Sequence, residues 1–162
     1  MDLTAIHPGR ASALEMVTSL TRWAIDSLER YIAPLVDLGI RYWVAAAFFA
    51  SGLTKIQSWD STLALFENEY SVPLLPPEVA AYMGTFTELV FPVLLLFGLG
   101  TRFAAGVLFV FNAIAVISYA DLSMAGLSDH RHWGLLLLVT LAHGPGKISI
   151  DHFFRRRFFG RA

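Results

Sequence analysis

Long apolar stretches dominate this chain, and its charged residues collect between them. Crossing the hydrocarbon layer of a membrane takes roughly 20 mostly apolar residues. Four stretches qualify, at 35–56, 79–99, 102–120 and, less continuously, 129–150. The fourth is strongly apolar only over 133–142. We retain it as a crossing because three crossings would put the C-terminal arginines on the wrong side of the membrane.

The segment before the first stretch has the pattern of an amphipathic helix. Its apolar residues recur at helical spacing from Leu14 to Leu35, while charged residues such as Arg22 and Glu29 fall largely outside that stripe. We expect this helix to lie on the cytoplasmic membrane surface, with docking against a partner subunit as the alternative. Pro34 is expected to mark the bend into the first span, because proline disfavours helix at the residue before it.

These elements predict an all-α membrane protein. The expected architecture is an antiparallel bundle of four transmembrane helices, preceded by the N-terminal amphipathic interfacial helix. Residues 1–34 would form a cytoplasmic helical segment, residues 35–150 the transmembrane domain and residues 151–162 a basic cytoplasmic tail. Between the first two spans we expect a short helix over 61–70 and then an extended proline-rich run at 72–77.

Composition and charge placement support a membrane location. Of the 162 residues, 56% are hydrophobic and 15% charged, whereas soluble domains average about 45–50% apolar and about 25% charged. The net charge of −1 gives no reason to expect a nucleic-acid partner. Lys and Arg occur near both termini, whereas 57–78 has neither. The positive-inside rule therefore predicts that both termini lie in the cytoplasm.

The chain has no cysteine. A dithiol relay, a cysteine-ligated cluster and a catalytic thiolate are therefore excluded within this chain. Any thiol chemistry would have to belong to a partner protein.

Three polar residues interrupt the predicted spans. Glu88 lies near the middle of the second, Arg41 in the first and Asn112 in the third. A carboxylate at that depth is costly unless something pairs with it, and Arg41 is the best candidate partner. One hypothesis is a functional cluster that binds a polar headgroup or passes a proton, with Glu88 and Arg41 as catalytic residues and Asn112 as a ligand contact. The other is an interhelical ion pair that only fixes packing.

Further polar residues sit at the ends of the spans. Lys55 could contact an anionic or quinone-like ligand at the mouth of the bundle, or simply anchor the helix at the headgroups. His143 could carry a proton or ligate a heme axially, or it could be only a polar helix end. His130 and His132 could bind metal on an extended segment, but on a helix they would diverge by about 200°. A solvated polar loop is the preferred interpretation, and we assign no metal ligand.

Four segments in order resemble the DoxX-like family of small membrane proteins. They are Arg41 with FASGLTKI at 49–56, then Glu88, then LLLFGLGTR at 94–102, and last GPGKISID at 144–151. The resemblance covers about residues 39–154 and implies a four-helix bundle in the bacterial inner membrane. Relatives of this kind include the DoxD-type small subunit of thiosulfate:quinone oxidoreductase and the MauE-type proteins of methylamine dehydrogenase maturation.

The resemblance implies a function at the level of a system. We expect a subunit or accessory of a quinone-linked membrane redox complex, with quinone as a possible cofactor and redox or membrane proteins as partners. Any activity would be that of an oxidoreductase subunit rather than of a stand-alone enzyme, and self-association is compatible with the pattern. The alternatives are a non-catalytic anchor or assembly factor, and a small transporter or metal-handling protein. The lack of cysteine argues against a MauE-like thiol role.

Overall fold

The computed structural model describes residues 8–158 and 160, with side chains from residue 13 onward. Residues 1–7, 159, 161 and 162, which belong to the predicted N-terminal and tail segments, lie outside the described residues. The described chain is all-helical and has no named strand. Its elements are α1 Pro8–Ser27, a π-helical turn Leu28–Ile32, α2 Ala33–Gln57, α3 Trp59–Asn68, α4 Pro77–Phe97, α5 Thr101–Ser118, α6 Met124–His143 and α7 Ile150–Phe158.

The chain divides into two compact units, Met1–Val36 and Asp37–Ala162. In the first, the predicted apolar stripe is exposed, as at Leu14 and Val17. Pro34 does not interrupt the helix, because a π-helical turn precedes it, in which the Ala33 N–H donates to the carbonyl of Leu28. The π-helical turn runs directly into α2.

The second unit has a core to which α2, α4, α5 and α6 all contribute. The buried apolar side chains are Val44, Phe48, Leu95, Ala104, Ala105, Leu108 and Leu137. Many large apolar side chains of the same helices remain exposed, including Trp43, Phe86, Phe103 and Ile117. Apolar exposure on this scale is what lipid, rather than water, covers.

Within the described part of the chain, three runs of helix are long and apolar enough to cross a membrane: Ala13–Gln57, Pro77–Phe97 and Thr101–Ser118. The predicted bounds of the fourth span, 129–150, are wrong as helix bounds. Helix α6 begins five residues earlier, because the Ser123 hydroxyl accepts from the Gly126 N–H and caps it. It ends at His143, before Gly144 at φ 93°.

The loop between α3 and α4 follows its sequence prediction only in part. The predicted short helix is α3, and the proline-rich run is not helical before Pro77. The prediction that this run is extended is wrong at residues 73–75, which form a turn and a bend, with Leu74 at φ 68°. Pro76 is extended and caps α4, which begins at Pro77. Tyr70 forms an isolated antiparallel bridge with Tyr119, and the Ser71 N–H donates to the carbonyl of Ser118 at 2.8 Å. The loop is thereby held against the end of α5.

The turn between α4 and α5 is held by the C-terminal segment. Gly98 and Gly100 are left-handed, at φ 69° and 58°. The Asp151 carboxylate accepts from the Gly100 N–H, the Thr101 N–H and the Thr101 hydroxyl, each at 2.8 Å. A carboxylate at a helix N-terminus satisfies unpaired N–H groups and favours the helix dipole. Burial raises the pKa of Asp151, but these hydrogen bonds and Arg41 outweigh it and lower that pKa.

Replacing Gly98 by alanine should destabilise the protein more than replacing Gly100. Both glycines have left-handed backbones, which cost other residues about 1–2 kcal/mol. A Cβ on Gly98 would also overlap Ser149 Cβ and lie 2.5 Å from Arg41 Nη1, whereas one on Gly100 meets nothing within 4 Å. We expect Gly98→Ala to lower the unfolding free energy by about 1–3 kcal/mol more than Gly100→Ala. Unfolding in detergent, followed by circular dichroism, measures both. Equal losses would mean that the C-terminal segment does not pack on Gly98.

Replacing Asp151 by asparagine should lower the free energy of unfolding by an amount that depends on pH. Because folding lowers its pKa, ionised Asp151 stabilises the fold above the unfolded-state pKa of about 4 and loses that effect as pH falls through the folded-state pKa. We expect Asp151→Asn to cost about 1–2 kcal/mol at pH 7, a gap that narrows below about pH 4. Thermal unfolding of both proteins across pH tests this, and a gap constant with pH would contradict it.

Candidate functional site

Glu88 is buried and forms an ion pair with Lys55. The Lys55 Nζ lies 2.6 Å from Glu88 Oε2. The Ser51 hydroxyl donates to Glu88 Oε1 at 3.2 Å, and Lys55 Nζ donates to Ser51 Oγ at 2.9 Å. These three residues form a closed set of contacts, which we call the Lys55–Glu88 cluster. A buried carboxylate is tolerated when it is both paired and hydrogen-bonded, and here it is both.

The predicted pairing of Arg41 with Glu88 is wrong. Arg41 is 1% exposed, and its guanidinium donates to the carbonyls of Leu96 at 3.0 Å, Leu95 at 3.4 Å and Ile148. Leu95 lies seven residues, or about 10 Å of helix, beyond Glu88. Arg41 therefore neutralises the carbonyl end of α4, while a different cation meets Glu88.

Local helix geometry assembles the Lys55–Glu88 cluster. Ser51 and Lys55 are four residues apart on α2 and so lie on one face. Gly52 lets α4 come close, since a Cβ there would lie 3.0 Å from Glu88 Cβ and 2.9 Å from Leu89 Cδ2. The Thr62 hydroxyl of α3 donates to the carbonyl of Lys55 at 3.0 Å. Residues of α2 and α4 thus hold the ammonium group, while α3 holds the backbone from which the Lys55 side chain extends.

The Lys55–Glu88 cluster lies on the wall of a cavity of about 580 Å³. The wall is mostly apolar, and the loop before α4 forms part of it. Leu74 in that loop has φ 68°, an unusual backbone for a residue other than glycine. Besides the cluster, the lining includes Phe48, Phe66, Tyr70, Met83, Val107, Phe111, Ser118, His130 and Trp133.

Ser118 brings an unsatisfied polar atom to this cavity. It is 2% exposed, and in the described part of the chain its hydroxyl has no hydrogen-bond partner. A buried hydroxyl left without a partner costs about 1–3 kcal/mol. The cavity that Ser118 lines is where a ligand could supply that partner.

Asn112 and His143 lie away from Glu88. The Asn112 side chain holds His130, with its Nδ2 donating to the His130 carbonyl at 3.0 Å and its Oδ1 lying 2.8 Å from His130 Nδ1. Because an amide oxygen only accepts, the ring proton of His130 is on Nδ1. His143 is exposed at the end of α6, and its Nδ1 lies 3.2 Å from the carbonyl of Val139. The predicted site residues that share the cavity are therefore Glu88 and Lys55.

The two histidines of the H-x-H pair take different environments on α6. His130 lines the cavity, whereas His132 is exposed, with its Nδ1 2.7 Å from the carbonyl of Ser128. They sit on a helix, where the spacing turns them apart as expected. Among the described residues, no group of three or more His, Asp and Glu side chains could hold a metal ion.

Sequence reasoning missed Ser51, Ser118 and His130 as cavity residues. The spacing of Ser51 from Lys55 signalled that they share a face. Ser123, a favoured helix cap, signalled that α6 begins early enough to carry His130 on the helix. Ser118 has no such signal, because its burial depends on how the loop packs on the end of α5.

Comparison with known proteins places this chain in a family. The sequence pattern of DoxX matches residues 36–120, which include Lys55 and Glu88. The chain belongs to the DoxX family. The resemblance found in the sequence is thereby confirmed, and helices α6 and α7 lie beyond the matched region.

Two relatives are similar to this chain over most of their own length. One is an uncharacterized protein of Haemophilus influenzae, 30% identical over 126 residues, which cover 72% of this chain and 82% of the relative. Another, from Bacillus subtilis, is named "Putative oxidoreductase CatD" and is 35% identical over 110 residues, which cover 65% of this chain and 77% of that protein. No solved structure matches the chain.

A double-mutant cycle should show that Glu88 is coupled to Lys55 and not to Arg41. Glu88→Leu or Lys55→Met alone leaves one partner buried and unpaired, which should cost about 3–5 kcal/mol of unfolding free energy. The double variant should cost less than the sum of the two, with a coupling of about 0.5–3 kcal/mol.

Arg41 is the matched control for this cycle. Arg41→Met with Glu88→Leu should be additive within about 0.5 kcal/mol, because the two side chains share no partner. Unfolding of the purified variants in detergent measures both cycles. Strong coupling to Arg41 with none to Lys55 would overturn the assignment.

Proposed function

We propose that this DoxX-family protein is a membrane subunit or accessory of a quinone-linked redox system. The observation that carries the proposal is the buried Lys55–Glu88 cluster on the wall of an otherwise apolar cavity of about 580 Å³. Pockets for small molecules and cofactors typically measure about 300–1,000 Å³ and combine apolar walls with a few placed polar groups. The cavity has that character.

The residues fit a quinone headgroup. An apolar ring suits the aromatic walls, and a carbonyl oxygen can accept from Lys55 Nζ. The unpaired Ser118 hydroxyl offers a second donor on the same cavity. A bound quinone would supply two-electron, two-proton redox chemistry, with the electrons coming from or going to a partner redox subunit. Glu88 and Lys55 are the proposed catalytic groups, because they can hold protons at Oε and Nζ beside the ring.

The family context supports the redox part of the proposal. A relative that is 35% identical carries the name of an oxidoreductase. Because the chain lacks cysteine, it has no thiol redox chemistry of its own. We therefore propose a subunit role, in which the chain binds and protonates and a partner transfers the electrons.

The proposed topology has four antiparallel crossings, with α6 as the fourth, in the bacterial inner membrane. Its support is the placement of charge. The α4–α5 turn and the C-terminal segment are joined by Asp151, and they carry Arg102, Lys147 and the arginines of α7. The α3 segment and its loop carry only acidic charges. The positive-inside rule then puts both termini in the cytoplasm and the mouth of the cavity near the outer surface.

The remaining predicted site residues receive different roles. We propose that Arg41 is structural, since it serves the carbonyl end of α4. Asn112 would act on the ligand only through His130, which it orients. His143, exposed at the end of α6, has no proposed role in the site.

Quinone binding should depend on Lys55 and on the cavity's volume. Replacing Lys55 by methionine removes a charged donor, so the affinity for a short-chain quinone should fall about 10- to 100-fold. Ala115 lines the cavity, and Ala115→Phe should fill part of it and abolish binding. Quenching of tryptophan fluorescence on titration with decylubiquinone or a menaquinone analogue measures the affinity. Mass spectrometry of the lipid extract identifies any co-purifying quinone.

Ile117→Phe is the matched control, since Ile117 is 71% exposed on the same helix and does not line the cavity. It should bind like the unmodified protein. Absence of quinone from the extract together with no saturable quenching would refute the proposal and favour a non-catalytic anchor or assembly factor. Binding that is unaffected by Lys55→Met and Ala115→Phe would place the quinone elsewhere.

A further inference from the structure

Helix α7 carries an aromatic face flanked by arginines. Phe153, Phe154 and Phe158 are exposed, and the rings of Phe154 and Phe158 stack with centroids 5.9 Å apart. At about 100° per residue, Arg155 and Arg156 fall on opposite flanks of this aromatic face. Arg157 lies within it, and all three arginines are exposed. The helix is therefore amphipathic and strongly basic.

The start of α7 is fixed to the rest of the second unit. The Ser149 hydroxyl accepts from the His152 N–H at 3.1 Å and caps the helix. The Asp151 N–H donates to the carbonyl of Gly98 at 2.9 Å, while the Asp151 carboxylate caps α5. Arg41 holds the Ile148 carbonyl just before the helix. These contacts set where α7 begins relative to the ends of α4 and α5.

That position lies where the apolar surface of α4 and α5 ends. Exposed apolar residues occur at the end of α4, in the turn and at the start of α5, at Phe97, Leu99 and Phe103, and both helices are long enough to span. Ile148, next to α7, is exposed as well. The start of α7 thus lies at the boundary between the spans and the cytoplasmic surface of the proposed topology.

We propose that α7 is an interfacial helix that binds the anionic phospholipid surface of the membrane. Its phenylalanines would enter the acyl boundary, and Arg155, Arg156 and Arg157 would meet lipid phosphates. Long basic side chains on the flanks of an apolar face can keep their stems in the apolar layer and their charges at the phosphates.

Charge favours lipid over a second copy of this chain. The positive field at α7 is evident at His152, whose pKa is lowered by burial and by Arg156, Arg155 and Lys147. On another copy, the segment 57–78, which has acidic but no basic residues, would lie on the opposite side of the membrane in the proposed topology, and acidic residues near the N-terminus alternate with arginines. The cytoplasmic leaflet carries anionic headgroups, and the proposed topology places the arginines of α7 on that side.

A single fluorescent label can test this, because the native chain has no cysteine. Phe154→Cys, labelled with the environment-sensitive dye NBD and placed in nanodiscs, reports whether that position is in lipid or water. We expect a blue-shifted, brighter emission in discs with about 25% phosphatidylglycerol than in discs of phosphatidylcholine alone, and a loss of that difference at high salt. Asp60→Cys, labelled likewise in α3, should respond to neither change.

Changing the arginines isolates charge from helix formation. In one variant, glutamine replaces all three arginines of α7, Arg155, Arg156 and Arg157. In anionic discs this variant should have a ratio of embedded to water-exposed label that is lower by about fivefold per arginine. All three replaced by lysine should retain the response, since helix propensity is similar in all three versions. Equal emission in both lipids, or an unchanged response in the glutamine version, would overturn the proposal. Emission that follows the number of copies per disc instead of lipid charge would identify a second copy as the partner and also overturn it.

Discussion

The ion pair between Lys55 and Glu88 is the constraint on which the cavity end of the second unit depends. An isolated charge in the hydrocarbon layer is expensive, so α4 can carry Glu88 only where a cation reaches it. Lys55 reaches it because α2 and α4 approach closely at Gly52. The Lys55–Glu88 ion pair therefore accounts both for the contact between α2 and α4 and for the polar part of the cavity wall. A change at either charge would alter the packing and the site together.

The other end of the unit solves a different electrostatic problem. The last carbonyls of a helix have no partners within it and carry the negative end of its dipole. Arg41 donates to two such carbonyls of α4, and Asp151 accepts from the first N–H groups of α5. Both groups also bind the C-terminal segment or belong to it. Arg41, which the sequence suggested as a catalytic residue, thus stabilises the end of α4 and the turn after it. Its burial follows from that structural role.

The sequence predicted what Glu88 needs but not which residue provides it. The apolar stretches, the short helix α3 and the need for a cation near Glu88 all follow from residue type and spacing. The choice between Arg41 and Lys55 does not, because it depends on how far each side chain reaches along α2. Side chains on a helix tilt towards its N-terminus, so Lys55 extends back to Ser51 and meets Glu88. A residue's depth in the membrane, when counted from the ends of an apolar stretch, locates its backbone. It does not include the distance that a long side chain such as that of Lys55 extends along the helix.

Among the described residues, buried polar atoms without a partner remain at both ends of the second unit, since Arg41 Nε has none and neither has the Ser118 hydroxyl. At the end held by Arg41 and Asp151, the turn and the C-terminal segment are bound by several charge-assisted hydrogen bonds. At the cavity end, the Ser118 hydroxyl has no partner within the described chain and Leu74 adopts a costly backbone. Uncompensated polar groups and backbone strain concentrate where proteins bind ligands, because the ligand completes the contacts. At the Arg41 end, the hydrogen bonds of Asp151 hold the turn in place, and at the cavity end a ligand could supply the partner that the Ser118 hydroxyl lacks.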